Sequence, residues 1–245
     1  MKRIKCIVSY DGTNFQGFQV QPNGRTVQGE IEHVLRKMHK GEPIRIHASG
    51  RTDARVHAKG QVFHFDTPLS LTEEAWKRAL NSQLPQDIAI SETEFVSPDF
   101  HARFSSIAKE YRYMVLYQKE RDPFLVNYTH HHPYPLDIER MKEAMQYIIG
   151  THDFTSFCSA KTEIADRVRT VELFALHEQK NKLIFQIRGD GFLYNMVRII
   201  VGTMLDVGSG KLAPSDIPEI IAAKDRTKAG KTISPNGLYL WKVFY

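Results

Sequence analysis

Arg169-Thr170-Val171-Glu172-Leu173-Phe174-Ala175-Leu176-His177 and Leu183-Ile184-Phe185-Gln186-Ile187-Arg188 flank the polar run Gln179-Lys180-Asn181-Lys182. Both flanks are rich in β-branched and aromatic residues, and a short polar turn between two such runs predicts a hairpin. A hairpin pairs its strands antiparallel and needs no helical crossover, so this stretch points away from a doubly wound parallel sheet.

The hairpin sits among helices. Before it, Lys109 to Tyr117 reads as a strong strand, and Asp137 opens a helix that turns Met141, Ala144, Met145 and Ile148 inward. After it come a helix from Leu193 to Val207, another starting near Pro214, and a strand from Leu238 to Phe244. The first hundred residues repeat the pattern without repeating the residues. Ile4 to Tyr10, Gln61 to Phe65 and Ile88 to Val96 read as strands. Val27 to Met38 reads as a helix with Ile31, Val34, Leu35 and Met38 on one face, and Thr72 caps a helix over Glu73 to Gln83. Pro98-Asp99 breaks the chain between the two series.

The expected fold is therefore α+β, in two similar halves, residues 1–104 and 105–245. Each half is a sandwich of mostly antiparallel sheet with helices on one face, and the sheets stand side by side around a basic cleft. An RNA-sized partner would suit such a cleft.

The totals narrow the class. The chain has 245 residues, 42% of them hydrophobic, enough for a sizeable core. Lys and Arg number 33 against 28 Asp and Glu, a net charge of +5 that suits a polyanionic partner. Near the start only Ile4 to Val8 is apolar, too short for a signal peptide or a membrane span, so a cytoplasmic protein is expected. Cys6 and Cys158 have no Cys-x-x-Cys spacing, which argues against a disulfide framework or zinc ribbon.

Chemistry concentrates in Ala48-Ser49-Gly50-Arg51-Thr52-Asp53-Ala54-Arg55-Val56-His57-Ala58. One carboxylate stands there among two arginines and a histidine, in a turn-prone stretch between strands. Guanidinium groups hold such a carboxylate ionised, as a nucleophile must be, although a turn aspartate in a salt bridge would look the same. Tyr111, Tyr113, Val115 and Tyr117 share one strand face, which reads as an aromatic core stripe. Arg198 lies among Met196, Val197, Ile199 and Ile200, where its charge needs a partner or a path to solvent.

Other signals lead elsewhere. His130-His131-His132 would alternate in direction and has no acidic or cysteine partner at ligand spacing, so no metal is expected. Ala229-Gly230-Lys231-Thr232 and Gly208-Ser209-Gly210-Lys211 are similar to phosphate loops, but Asp225 and Leu205 stand where the first glycine belongs. Lys211, Lys224, Arg226, Lys228 and Lys231 remain available for RNA phosphates.

Four stretches in order carry a resemblance. Residues 48–58 are similar to the Gly-Arg-Thr-Asp-x-Gly-Val-His-Ala signature of the tRNA pseudouridine synthase A family. Tyr10-Asp11-Gly12-Thr13-Asn14-Phe15-Gln16-Gly17-Phe18-Gln19-Val20-Gln21 resembles its first loop. Phe100-His101-Ala102-Arg103-Phe104-Ser105 and Lys109-Glu110-Tyr111-Arg112-Tyr113 resemble its inter-domain and tyrosine motifs. Residues 189–202, from Gly189-Asp190-Gly191-Phe192 to Gly202, resemble the helix that closes its active site. The chain departs from the pattern at Arg55, where the family has glycine; glycine there would permit a positive φ or a close approach.

The resemblance implies a cofactor-free isomerisation of uridine to pseudouridine at positions 38, 39 and 40 in the anticodon stem-loop of tRNA, by a homodimer. It implies Asp53 as nucleophile, Arg198 as its ion-pair partner, Arg51 as the residue holding the flipped nucleotide and Tyr111 as the platform stacking on the target uracil. A tRNA-binding protein of weak activity, its reaction loop altered by Arg55, is the rival expectation, and a paralogue with a different choice of uridine is a third.

Overall fold

The computed structural model describes residues 1–160 and 164–245. In chain order the elements are β1 (Lys2–Tyr10), α1 (Val27–Met38), β2 (His47–Ala48), β3 (His57–Thr67), α2 (Glu73–Asn81), β4 (Ile88–Val96) and β5 (Ala108–Tyr117). They continue as β6 (His130–His132), α3 (Ile138–Gln146), β7 (Gly150–Asp153), β8 (Val168–Gln179), β9 (Lys182–Gly189), α4 (Met196–Gly208), α5 (Asp216–Ala223) and β10 (Leu238–Phe244). This is an α+β fold with mostly antiparallel pairing, as the hairpin implied. The chain divides into two compact units, residues 1–107 with 239–245, and residues 108–238.

In the first unit β1 pairs antiparallel with both β3 and β4, and β2 adds to β3. Alternation along β1 sends Ile4, Cys6, Val8 and Tyr10 into the core. Thr26 caps α1 by accepting from the Gly29 N–H, and Ile31, Val34 and Leu35 form its buried face. Thr72 caps α2 in the same way through the Ala75 N–H. The indole of Trp76 on α2 is fully buried edge-on to Phe65, 5.3 Å between centroids, burial that stabilises by roughly 2–3 kcal/mol. β3 starts at His57, four residues before the expected start. There it gains β10 as a parallel partner, with Tyr239 opposite His57, a pairing that local sequence does not announce.

In the second unit β9 stands between β5 and β8, and β7 pairs with β8. The β8–β9 hairpin closes where Gln179 faces Lys182, with Lys180 at φ 52°. Asp137 caps α3 through the Arg140 N–H, and Met141, Ala144, Met145 and Ile148 are all buried. α3 packs on α4, which is buried along most of its length. α4 starts at Met196 and not at Leu193, because Asn195 takes a left-handed φ of 63° and so marks the cap. Cys6 and Cys158 are both buried in the core. Among the described residues no helix is long and apolar enough to cross a membrane.

Candidate active site

The Asp53 loop is clamped from beneath by the segment that follows β1. The Phe18 N–H donates to the Thr52 carbonyl at 3.1 Å, and the Arg55 N–H donates to the Phe15 carbonyl at 3.2 Å. The Gly12 N–H donates to Nδ1 of His57 at 3.0 Å. These contacts demand glycine. A Cβ on Gly17, whose φ is 102°, would stand 2.9 Å from the Thr52 carbonyl oxygen. The glycine spacing of residues 12 and 17 thus exists to let two loops lie backbone to backbone.

Within the loop, the Val56 N–H donates to the Asp53 carbonyl at 3.2 Å, closing a four-residue turn whose third residue, Arg55, has a φ of 66°. That is the left-handed conformation glycine adopts freely. Arg55 thus holds this conformation at the cost of backbone strain.

Side chains lock the loop as well. The Tyr10 and Thr52 hydroxyls are 2.7 Å apart and buried. Gln61, fully buried, accepts from the Ser49 hydroxyl at 2.6 Å and donates to the Gly50 carbonyl at 2.9 Å. Burial pushes the Tyr10 phenol above its ordinary pKa, opposed by hydrogen bonds to Thr52 and Gln61. His57 is buried with its ring stacked on Tyr239, 4.7 Å between centroids. Asp53 itself is half-buried, while Arg51 and Arg55 are exposed, so a carboxylate and two cations reach the surface of a fixed loop.

In the second unit Tyr111, on β5, is half-buried with its ring edge-on to Phe192 at 5.1 Å. Its neighbours on the same face are core residues: Tyr113 is fully buried and donates to the Ser234 carbonyl at 2.6 Å. Arg198, in the first turn of α4, donates through Nε to the Ile233 carbonyl at 2.8 Å and through Nη1 to Asn195 Oδ1 at 2.6 Å. Its guanidinium is thus aimed from two sides. Tyr10, Thr52, Gln61, Phe192 and Asn195 were not singled out from the sequence. The motif residues of 10–21 and 189–202 contained three of them, but their partners lie far along the chain.

Of the cations expected to meet phosphate, Lys211 pairs with Asp206 and Lys224 with Asp153, whereas Lys228 and Lys231 are exposed. Arg226 donates to the Ala229 carbonyl and to Thr232. The histidine run forms β6, parallel to β5, and burial lowers His130 to about 4. Among the described residues no three His, Cys, Asp or Glu side chains converge as metal ligands would.

A second histidine group lies in the first unit. The rings of His47, His64 and His101 lie 4.8 to 5.6 Å apart. Nδ1 of buried His64 accepts from the Ala102 N–H at 3.1 Å, and burial lowers its pKa to about 4.

Comparison with known proteins agrees with the site. A family model described as tRNA pseudouridine synthase matches residues 6–105 and 144–245. A tRNA pseudouridine synthase A from Geobacillus sp. (strain WCH70) is 61% identical over 244 residues, covering 100% of this chain and 98% of the relative. One from Geobacillus kaustophilus (strain HTA426) is 59% identical, covering 100% and 95%. A tRNA pseudouridine synthase A 1 from Bacillus cereus (strain ATCC 14579) is 59% identical, covering 100% and 99%. A solved structure of a Cbf5-Nop10-Gar1 complex aligns at 13% identity over 82% of this chain and 54% of that one, with a TM-score of 0.34, too slight a likeness to bear on the fold. With the match running through the Asp53 loop and the Arg198 helix alike, the chain belongs to the tRNA pseudouridine synthase family.

Proposed function

We propose that this protein isomerises uridine to pseudouridine at positions 38, 39 and 40 in the anticodon stem-loop of tRNA, as a cytoplasmic homodimer without a cofactor. The observation that carries the reading is the half-buried Asp53 that follows Gly50-Arg51-Thr52 and opens the 53–56 turn, in a loop held on both sides of it by backbone hydrogen bonds at Thr52 and Arg55. The reaction breaks the bond from uracil N1 to the ribose, turns the base, joins ring carbon C5 to the same sugar carbon, releases the C5 proton to solvent and leaves N1 protonated. Asp53 is the nucleophile. Arg198 is its ion-pair partner, Arg51 holds the flipped nucleotide and Tyr111 stacks on the uracil.

What supports these roles is the family membership of the segments that carry Asp53, Arg51 and Arg198 and, for Tyr111, full-length alignment with the relatives. Unmodified tRNA labelled with tritium at C5 of uridine tests the reading. Label is released from positions 38 to 40 by the native protein and not by Asp53→Ala, which still binds tRNA. Binding without release by the native protein would sink it. Sedimentation at micromolar concentration tests the dimer.

A further inference from the structure

We infer that Tyr10, Thr52 and Gln61 are positioning residues for the reaction, forming a buried polar brace that fixes where the Asp53 carboxylate stands. The inference rests on Asp53 being the nucleophile. None of the three is needed to fill space with a polar atom. Tyr10 is 5% exposed, Thr52 6% and Gln61 0%, and apolar residues of like shape would occupy such places without the cost of burying hydroxyl and amide groups.

Their hydrogen bonds run to the loop, to one another and to the Val62 N–H. Gln61 lies on β3, the strand that leaves the loop, and reaches back to its entry. Nε2 donates to the Gly50 carbonyl at 2.9 Å, while Oε1 accepts from the Ser49 hydroxyl at 2.6 Å and from the Val62 N–H at 3.0 Å. Tyr10, at the end of β1, is bonded to Gln61 and sets its hydroxyl 2.7 Å from Thr52. Thr52 is held a second time at its carbonyl by the Phe18 N–H, 3.1 Å away. The residue before Asp53 is therefore pinned through its side chain by β1 and through its backbone by a loop, while β3 holds Ser49 and Gly50 just ahead of it.

Fixing Thr52 on both sides leaves the Asp53 Cα little freedom. A nucleophile displaced by about 1 Å loses roughly 100-fold in rate, because the bound geometry no longer approaches attack. The brace acts on kcat and not on the grip on tRNA, since all three side chains are buried.

Steady-state release of C5 tritium from unmodified tRNA, with thermal denaturation alongside, tests this on the full-length protein. Tyr10→Phe and Thr52→Val are expected to lower kcat by about 10- to 100-fold, with KM for tRNA within about twofold of native. Thr52→Ser keeps the hydroxyl and restores kcat, and the Tyr10→Phe/Thr52→Val double variant is no slower than the worse single one. Native kcat in Thr52→Val, equal slowing in Thr52→Ser, or multiplying losses in the double variant would overturn the inference. Asp53→Asn in the same assay separates the two claims. If it is inert while Thr52→Val keeps native kcat, only the brace fails; if it turns over at the native rate, both fail.

Discussion

Gly12 lies so close beneath Val56 that a Cβ on it would stand 2.1 Å from the Val56 carbonyl oxygen. No rotamer relieves that overlap, since both partners are backbone. Gly12→Ala must push the 53–56 turn outward. We expect a loss of about 1–3 kcal/mol in stability and, below the melting temperature, a fall in kcat of roughly 100-fold. Urea denaturation and label release measure the two, and native turnover by the variant would refute the clamp.

Arg55 holds a left-handed backbone that costs a non-glycine residue about 1–2 kcal/mol. Glycine gives back part of this in unfolded-chain entropy. Arg55→Gly is thus expected to gain about 0.5–1 kcal/mol by urea denaturation, with label release undiminished, while Arg55→Ala keeps the strain and gains nothing. Equal stability of the two variants would show that the strain is relieved elsewhere.

Asn195 aims the Arg198 guanidinium through a bond of 2.6 Å to Nη1 while holding a φ of 63°. Asn195→Gly keeps that backbone and removes only the amide. We expect kcat to fall about tenfold, in line with the 1.5–3 kcal/mol of a hydrogen bond to a charged group, with little change in melting temperature. An unchanged kcat would mean that the Ile233 carbonyl suffices to orient Arg198.

Acid should weaken the first unit through its histidine cluster. His64 is lowered to about 4, chiefly by burial, with Arg3, His101 and His47 adding to the effect and Asp66 opposing it. The unfolded chain therefore takes up the proton first, near 6.5. The stability contributed by neutral His64 is full above 6.5 and is lost as pH falls towards 4. The loss is at most about 3 kcal/mol, one pKa unit being about 1.4 kcal/mol. His64→Gln can still accept from the Ala102 N–H without titrating, so its melting temperature should depend less on pH across that window. Parallel profiles would exclude His64 as the source.

Local chemistry was legible in the sequence, and distant pairing was not. α1 and β4 begin and end where periodicity and caps put them, and Thr72 and Asp137 cap their helices as read. Those signals lie within a few residues of what they determine. The early start of β3, the parallel strand beside it and the short strands β2, β6 and β7 depend on partners far along the chain. The Asp53 loop stood out because its charges are adjacent in sequence. Its supports did not, since Tyr10 and Gln61 reach it from 42 and 11 residues away and look, taken singly, like any tyrosine or glutamine in a strand.

The place of β10 has a consequence for the order of assembly. Residues 239–245 belong with the first unit, although the whole second unit lies between them and residue 107. As the chain is synthesised, the Asp53 loop emerges early, yet the strand beside His57 and the ring of Tyr239 that covers it follow the second unit. The nascent first unit thus waits with an open strand edge until residues 239–245 are made, and the Asp53 loop gains its cover only after the second unit has been synthesised.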